Sequence, residues 1–344
     1  MLNRQIIVTI KERILQASSI VIVTHTNPDG DAIGSSLGFY HFLLSLTKKL
    51  NVKVIVPNEF PSFLKWMPGV NDILVFPFNE KAAIKTIVDA DLCFCLDFNS
   101  LKRTDKLSSY LEASTAFKIL IDHHPQPDSN FDIMISCVES SSTSELIYDV
   151  IGEMEGFDAL NKEIASCLYV GIMTDTGSFS YSCRRPETYL AVAELIRHGV
   201  ESELIHRKIY DTNSENRLRM LGFCLSERMK VLKEYHTAYI YLSDSDLKRF
   251  NHQNGDTEGF VNYALSIEGI VLAVQFTEKE GKIRLSLRSK GAFSVNDLAR
   301  KHFHGGGHKN ASGGDSFGSM NDTLVYFESI LKDYQDDLIN SIDP

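Results

Sequence analysis

Two rhythms of apolar residues alternate along the first half of the chain. Short apolar runs at 20–24, 52–57, 73–76, 91–97, 117–121 and 131–135 read as strands. Between several of them, over 32–49, 80–89 and 105–113, the apolar positions return at helical spacing, and 3–17 reads as an amphipathic helix ahead of the first strand. Strand alternating with helix predicts a largely parallel sheet with both faces covered. Helices are then expected at 143–153 and 162–175. The stretch 186–232 is mostly helical by pattern, rich in charge, and contains no Gly/Pro-rich linker. From about residue 235 the texture shifts to strands at 237–242, 270–277 and 282–288, a helix near 295–302 and a glycine-rich loop. The expected fold class is α/β, with a parallel-sheet domain over 1–185, a helical connector over 186–234 and a smaller mixed-sheet α/β domain over 235–344. No internal repeat or low-complexity tract interrupts this plan.

Composition changes the picture little. At 344 residues the chain has room for two domains, and 43% apolar with 23% charged residues is ordinary for a soluble globular protein. The formal charge of −10 argues against sequence-blind binding to long nucleic acid, which needs a basic track. It leaves room for a small anion held by local cations. The apolar core Ile6-Ile7-Val8 is too short for a signal peptide, and no run reaches the ~18 apolar residues of a membrane span. The six cysteines lack CxxC spacing and sit mostly among apolar residues. Cys93 and Cys95 read as small apolar residues of a buried strand rather than as a metal pair. Reduced core thiols place the protein in the cytoplasm.

Candidate chemistry collects at strand ends. His25, Asp29 and Asp31 follow the first strand, Asp97 closes the fourth, and Asp122-His123-His124 follows the fifth. Residues just past the ends of parallel strands gather on one rim, where open α/β folds bind their ligands. Asp175 is a further candidate, at a helix end before a turn. Each has an ordinary alternative taken singly. Asp29-Gly30 is a turn pair, Asp31 is a helix cap, and Asp175-Thr176-Gly177 is a turn. Their recurrence at equivalent topological positions favours metal binding. Carboxylate and imidazole ligands suit a divalent first-row ion, with Mn²⁺ favoured over Mg²⁺ where nitrogen ligands contribute. Four Asp and two or three His exceed the needs of one catalytic ion. Two ions bridged by a carboxylate, ~3.5–4 Å apart, fit the count, activate a water and stabilise a phosphoryl transition state.

A second signal lies in His304-Gly305-Gly306-Gly307-His308-Lys309. Three glycines let backbone N–H groups approach an anion, and His308 adds a donor. Arg288 ends a strand and can grip phosphate with two parallel hydrogen bonds. A glycine triplet alone would be a flexible surface loop. Beside a metallohydrolase domain it reads as a phosphate or nucleotide clamp.

On these residues the chain resembles the DHH/DHHA1 phosphoesterases, named for the triplet seen here as Asp122-His123-His124. The resemblance runs from about residue 5 to about 335. It rests on His25-x3-Asp29-x-Asp31, Asp97, the triplet, Asp175, Arg288 and Gly305-Gly306-Gly307-His308. It implies two Mn²⁺ ions, one held by His25, Asp29 and Asp97 and the other by Asp31, Asp97, His123 and Asp175, so that Asp97 bridges. It implies that His124 contacts the scissile phosphate and assists the leaving group, with Asp122 supporting a neighbouring imidazole. It also implies that Arg288 and Gly305–His308 hold the far end of the substrate. Arg103 is read equally as a phosphate contact or a surface residue.

Within the family the two-domain plan is most similar to the nanoRNase/pAp phosphatase group. The expected activity is Mn²⁺-dependent hydrolysis of short oligoribonucleotides and of 3′-phosphoadenosine 5′-phosphate (pAp). A soluble phosphodiesterase for cyclic di-AMP or linear pApA is the alternative, and a nucleotide-binding regulator without turnover a third reading. Expected partners are short RNA or small nucleotides, with no long nucleic acid and no membrane. A homodimer is compatible with all three readings.

Overall fold

The computed structural model describes residues 3–46, 50–253 and 255–341. The chain divides into two compact units, Met1–Thr212 and Asn213–Pro344.

The first unit carries α1 (Arg4–Gln16), β1 (Ser19–Val23), α2 (Gly30–Leu46), β2 (Asn51–Val56), β3 (Leu74–Val75), α3 (Phe76–Val88), β4 (Leu92–Leu96), α4 (Leu107–Ala113), β5 (Phe117–Asp122), β6 (Ile133–Ser136), α5 (Thr143–Glu155), α6 (Lys162–Asp175), α7 (Pro186–Arg197) and α8 (Ser202–Tyr210). Its six strands are all parallel, in the order β3-β2-β1-β4-β5-β6. The chain leaves β1 toward β2 and returns on the other side as β4, so the order reverses between β1 and β4. That crevice, at the carboxyl ends of the strands, is where such a sheet binds ligands.

The sheet is buried on both faces, as its unbroken apolar runs require. Ile20, Ile22, Phe94 and Ile121 face one core with α1, α2, α5 and α6. Val21, Val23, Cys93, Cys95 and Leu120 face another, closed by α3 and α4. Cys93 and Cys95 are thus part of an apolar layer, and all six thiols are free.

Glycines set how α2 meets α6. A methyl group at Gly34 would fall 2.6 Å from the Cys167 carbonyl oxygen, one at Gly30 2.3 Å from Thr174 Oγ1, and one at Gly38 2.6 Å from the Leu168 side chain. The three glycines, four residues apart, form one stripe along α2. Close approach brings the first turn of α2, with Asp31, beside the last turn of α6, with Asp175.

The second unit carries α9 (Glu215–Glu227), β7 (Met229–Leu232), β8 (Thr237–Leu242), α10 (Asp244–Arg249), α11 (Phe260–Leu265), β9 (Leu272–Lys279), β10 (Lys282–Ser289), α12 (Val295–His302), β11 (Gly306–His308), β12 (Ala311–Ser316), α13 (Met320–Ile330) and α14 (Gln335–Ile339). Its sheet runs β11-β12-β10-β9-β8-β7, antiparallel except for the parallel pair β8–β9.

The expected α/β class holds for both units. Three local expectations change. The helical reading of 186–232 covers α7, α8 and α9 but ends in strand β7, where Met229 to Leu232 pairs antiparallel with Thr237 to Ile240. The division between units also falls inside the expected connector, after Thr212. The glycine-rich loop is strand β11, hairpinned to β12. Within α3 the backbone breaks at Asn79 (φ −130°, ψ 28°), so the regular helix starts near residue 80 as expected, after a turn that carries Pro77. Residues 47–49 of the expected helix 32–49 lie outside the described residues.

Candidate metal centre

Every candidate ligand of the first unit comes to the rim of the switch point. His25 and Asp29 lie in the loop after β1, Asp31 in the first turn of α2, and Asp97 directly after β4. Asp122 ends β5, His123 and His124 follow it, and Asp175 ends α6.

Asp97 stands between two groups of donors. Its Oδ2 lies 3.4 Å from His25 Nε2, which is 4.0 Å from Asp29 Oδ2. Its Oδ1 lies 3.6 Å from His123 Nε2, which is 3.9 Å from Asp31 Oδ2 and 3.5 Å from Asp175 Oδ2. In His25–Asp29–Asp97, and again in Asp31–Asp97–His123, one ligand atom from each residue lies within 4.8 Å of the others. The backbone of Asp97 is left-handed, with φ 68°, a conformation that non-glycine residues adopt at a cost. It turns the carboxylate into the crevice.

The outer contacts fix these groups in place. Asp29 Oδ1 accepts the N–H groups of Asp31 and Ala32 at 3.0 and 3.1 Å. The cap of α2 is therefore Asp29, not Asp31 as the sequence alone allows. Asp31 instead accepts from the Thr143 and Ser144 amides at 2.7 and 2.9 Å. His25 Nδ1 sits 2.9 Å from the Thr26 carbonyl oxygen, so that Nδ1 carries the proton and Nε2 is left to coordinate. His124 Nδ1 is 2.7 Å from Asp122 Oδ1, which leaves Nε2 of that ring as its working nitrogen.

The electrostatics call for a cation. Asp31, Asp97, Asp122, His25, His123 and His124 are all buried. Burial, with Asp31 and Asp29 beside it, pushes the Asp97 carboxyl well above the usual range. Burial opposes charge on His123, but Asp175, Asp97, Asp31 and Asp122 outweigh it and lift the imidazole to about 9. Burial, and then Arg103, hold His124 well below the ordinary value. A set of carboxylates this crowded is unfavourable until positive charge is shared among them. Oxygen and imidazole donors together suit a divalent first-row ion, so the residues fit the metal that their spacing suggests.

In the second unit, Arg288 lies on β10 opposite Ala273 of β9 and Ala311 of β12. Gly305 and Gly307 serve close packing first. A methyl group at Gly305 would meet the Gly313 carbonyl oxygen at 2.0 Å, and Gly307 has φ 151°. Two of the three glycine amides bond within the unit. The Gly305 amide donates to the Ala299 carbonyl, and the Gly307 amide to Asn296 Oδ1 at 2.9 Å.

The chain as a whole has clear relatives. The model of the DHH family, N-terminal domain, matches residues 19–172, and that of the DHHA1 domain matches 234–329. The chain belongs to the DHH/DHHA1 family. It is 30% identical over 321 residues to a probable bifunctional oligoribonuclease and PAP phosphatase NrnA of Streptococcus mutans, covering 93% of this chain and 96% of that one. The bifunctional oligoribonuclease and PAP phosphatase NrnA of Bacillus subtilis is 28% identical, covering 92% and 96%. The crystal structure of an exopolyphosphatase-related protein from Bacteroides fragilis superposes with a TM-score of 0.93 at 46% identity, covering 98% of each chain. Among the described residues of this DHH/DHHA1 chain, no helix is long and apolar enough to cross a membrane.

One part of the centre was left open by the sequence reading and another escaped it. Arg103 is not a mere surface residue. Its carbonyl accepts from the Thr26 amide and hydroxyl at 2.7 and 2.8 Å, and its charge acts on His25, Asp29 and His124. The turn Ser140 to Glu145 is buried throughout and touches Asp31 and Asp97. Its signal was six consecutive polar residues running from the loop into the first turn of α5.

Proposed function

We propose that the chain is a metal-dependent phosphoesterase that hydrolyses short oligoribonucleotides and removes the 3′-phosphate of pAp. The observation that carries this is Asp97, whose two oxygens face His25 on one side and His123 on the other. His25, Asp29 and Asp97 would hold one divalent ion, and Asp31, Asp97, His123 and Asp175 a second, with Mn²⁺ the better match to mixed N/O donors. Such ions, when bound, supply Lewis acidity toward a phosphoryl group and a reactive water near neutral pH.

The side chains do the rest. His124, held through Nδ1 by Asp122, has Nε2 as its acceptor nitrogen, which would take up a proton from the attacking water and then pass it to the leaving oxygen. Arg103 adds fixed positive charge beside His25, Asp29 and His124, which attracts an anionic substrate. Arg288 and His308, each with the chemistry to bind phosphate, are the second unit's candidates for the substrate's far end. The names of the Streptococcus mutans and Bacillus subtilis relatives support both parts of the substrate assignment.

A product time course with Mn²⁺ on pAp, pApA, a 5-mer RNA, cyclic di-AMP and polyphosphate tests the reading. Phosphate released from pAp, with stepwise mononucleotides from the 5-mer, is expected. Turnover of cyclic di-AMP or pApA alone would move the protein to second-messenger hydrolysis. Turnover of polyphosphate alone would set nucleotide chemistry aside, and tight nucleotide binding with no hydrolysis of any substrate would make it a sensor.

A further inference from the structure

The turn Ser140-Ser141-Ser142-Thr143-Ser144-Glu145 places six polar side chains at 5% exposure or less. Burying polar groups costs free energy unless they are used, so a run of this kind calls for a reason. Its contacts supply one. Thr143 Oγ1 donates to Asp97 Oδ1 at 2.9 Å, and the Thr143 and Ser144 amides hold both oxygens of Asp31. The Ser140 carbonyl oxygen lies 3.4 Å from His123 Nδ1. The turn is itself anchored. Ser142 Oγ caps α5 by accepting the Glu145 amide at 3.0 Å. Glu145 Oε2 accepts the Ser141 amide and the Thr188 hydroxyl, both at 2.9 Å, which ties the turn to α7.

We propose that Thr143 is a positioning residue of the metal centre, whose hydroxyl sets the rotation of the Asp97 carboxylate so that it can serve both donor groups at once. The inference rests on the reading that these groups hold two ions. An aspartate carboxylate turns easily about its last torsion, which has broad, two-fold preferences. Nothing in the Asp97 backbone decides which oxygen faces His25 and which faces His123. The Thr143 hydroxyl decides it by holding Oδ1 on the His123 side. Without that bond the carboxylate can turn and give both oxygens to one ion, at the expense of the other. Thr143 reaches no substrate and moves no proton.

The test is a Mn²⁺ titration read by electron paramagnetic resonance, which counts free ions and reports whether bound ions are magnetically coupled. Wild type is expected to bind two coupled ions. Thr143→Val keeps the shape but removes the hydroxyl. It is expected to weaken one of the two ions by about 10–100-fold and to lose the coupled signal at low metal, while Thr143→Ser restores both. Should Thr143→Val not fold, Thr143→Ala carries the same expectation. A merely structural role would lower the melting temperature of Thr143→Val but leave ion affinities and coupling as in wild type. That result, with two ions in wild type, overturns this inference alone. Fewer than two ions in wild type overturns the two-ion reading and this inference with it.

Discussion

Asp122 Oδ1 lies 2.7 Å from Nδ1 of His124, and both side chains are buried. A carboxylate at that distance accepts a hydrogen bond from Nδ1–H, which keeps the proton on Nδ1 and makes Nε2 the acceptor nitrogen of the neutral ring. The middle residue of the triplet, His123, faces Asp97 and Asp175 instead. Adjacent imidazoles thus point to separate tasks because the chain has just left β5.

Asp122→Asn should therefore lower kcat on pAp by about 10²-fold with little change in KM, since an amide no longer enforces the tautomer. His124→Asn should fall at least as far, and the double variant no further than His124→Asn. Steady-state kinetics of the three variants checks this. A double variant well below His124→Asn would mean that Asp122 acts through some other group.

Asp97→Asn separates stability from function. The Asp97 carboxyl is raised well above its usual range by burial and by Asp31 and Asp29, so in the metal-free protein its charge is a liability. The neutral variant should melt no lower than wild type without metal. Saturating Mn²⁺ should raise the wild-type melting temperature, by the equivalent of about 2.7 kcal/mol per site at a hundredfold excess over Kd, and should barely move the variant. Hydrolysis should drop about 10³-fold or more. Calorimetry with and without chelator, together with product assays, checks both halves. An equal Mn²⁺ shift in variant and wild type would remove Asp97 from the ligand set.

Much of this centre was legible because parallel strands end on one rim, and the sequence marks strand ends well. His25, Asp97 and His123 follow apolar runs that can hardly be anything but buried strands. What was not legible depends on contacts far apart in the chain. Asp29 and Asp31 are two residues apart and both suit a cap, and only the position of the Thr143 and Ser144 amides assigns them. The polar turn at 140–145 looks like surface until Asp31, 112 residues from Thr143, is brought against it. The glycines at 305–307 suggested an anion nest, yet without β12 in view the close packing of Gly305 against Gly313 and of Gly307 against Ala311 and Ser312 could not be read.

Gly34 makes the α2–α6 contact a sensitive point. Its hypothetical methyl meets Cys167 carbonyl oxygen at 2.6 Å and Gly171 nitrogen at 2.8 Å, both backbone atoms that cannot swing aside. Gly34→Ala must push the helices apart, which should cost about 1–3 kcal/mol. Because Asp31 and Asp175 sit on those helices, Mn²⁺ affinity should fall as well. Gly222→Ala is the control, since a methyl there meets nothing within 4 Å. It should be neutral or slightly stabilising in a helix. Urea melts and Mn²⁺ titrations of the two variants check the contrast, and equal stability would show that α2 and α6 can separate at no cost.

Asp149, on α5, offers a pH signature away from the metal ligands. Burial, reinforced by Glu145 and Glu153 and opposed by Arg185, raises its carboxyl to about 6. The sign follows from where the proton sits. Below about pH 4 the group is protonated whether the chain is folded or unfolded, and costs nothing. Between there and about pH 6 the unfolded chain ionises first, so folding stability is lost as pH rises, and above that the loss is complete. The side chain is partly exposed, so solvent screening limits the penalty to the order of 1 kcal/mol. Asp149→Asn removes the ionisable proton. It should match wild type below about pH 4 and exceed it by that amount at about pH 7.5, with the gap opening between. Denaturant melts across this range in chelator measure the gap. A gap of the same size at every pH would assign the effect to packing of the amide rather than to the charge.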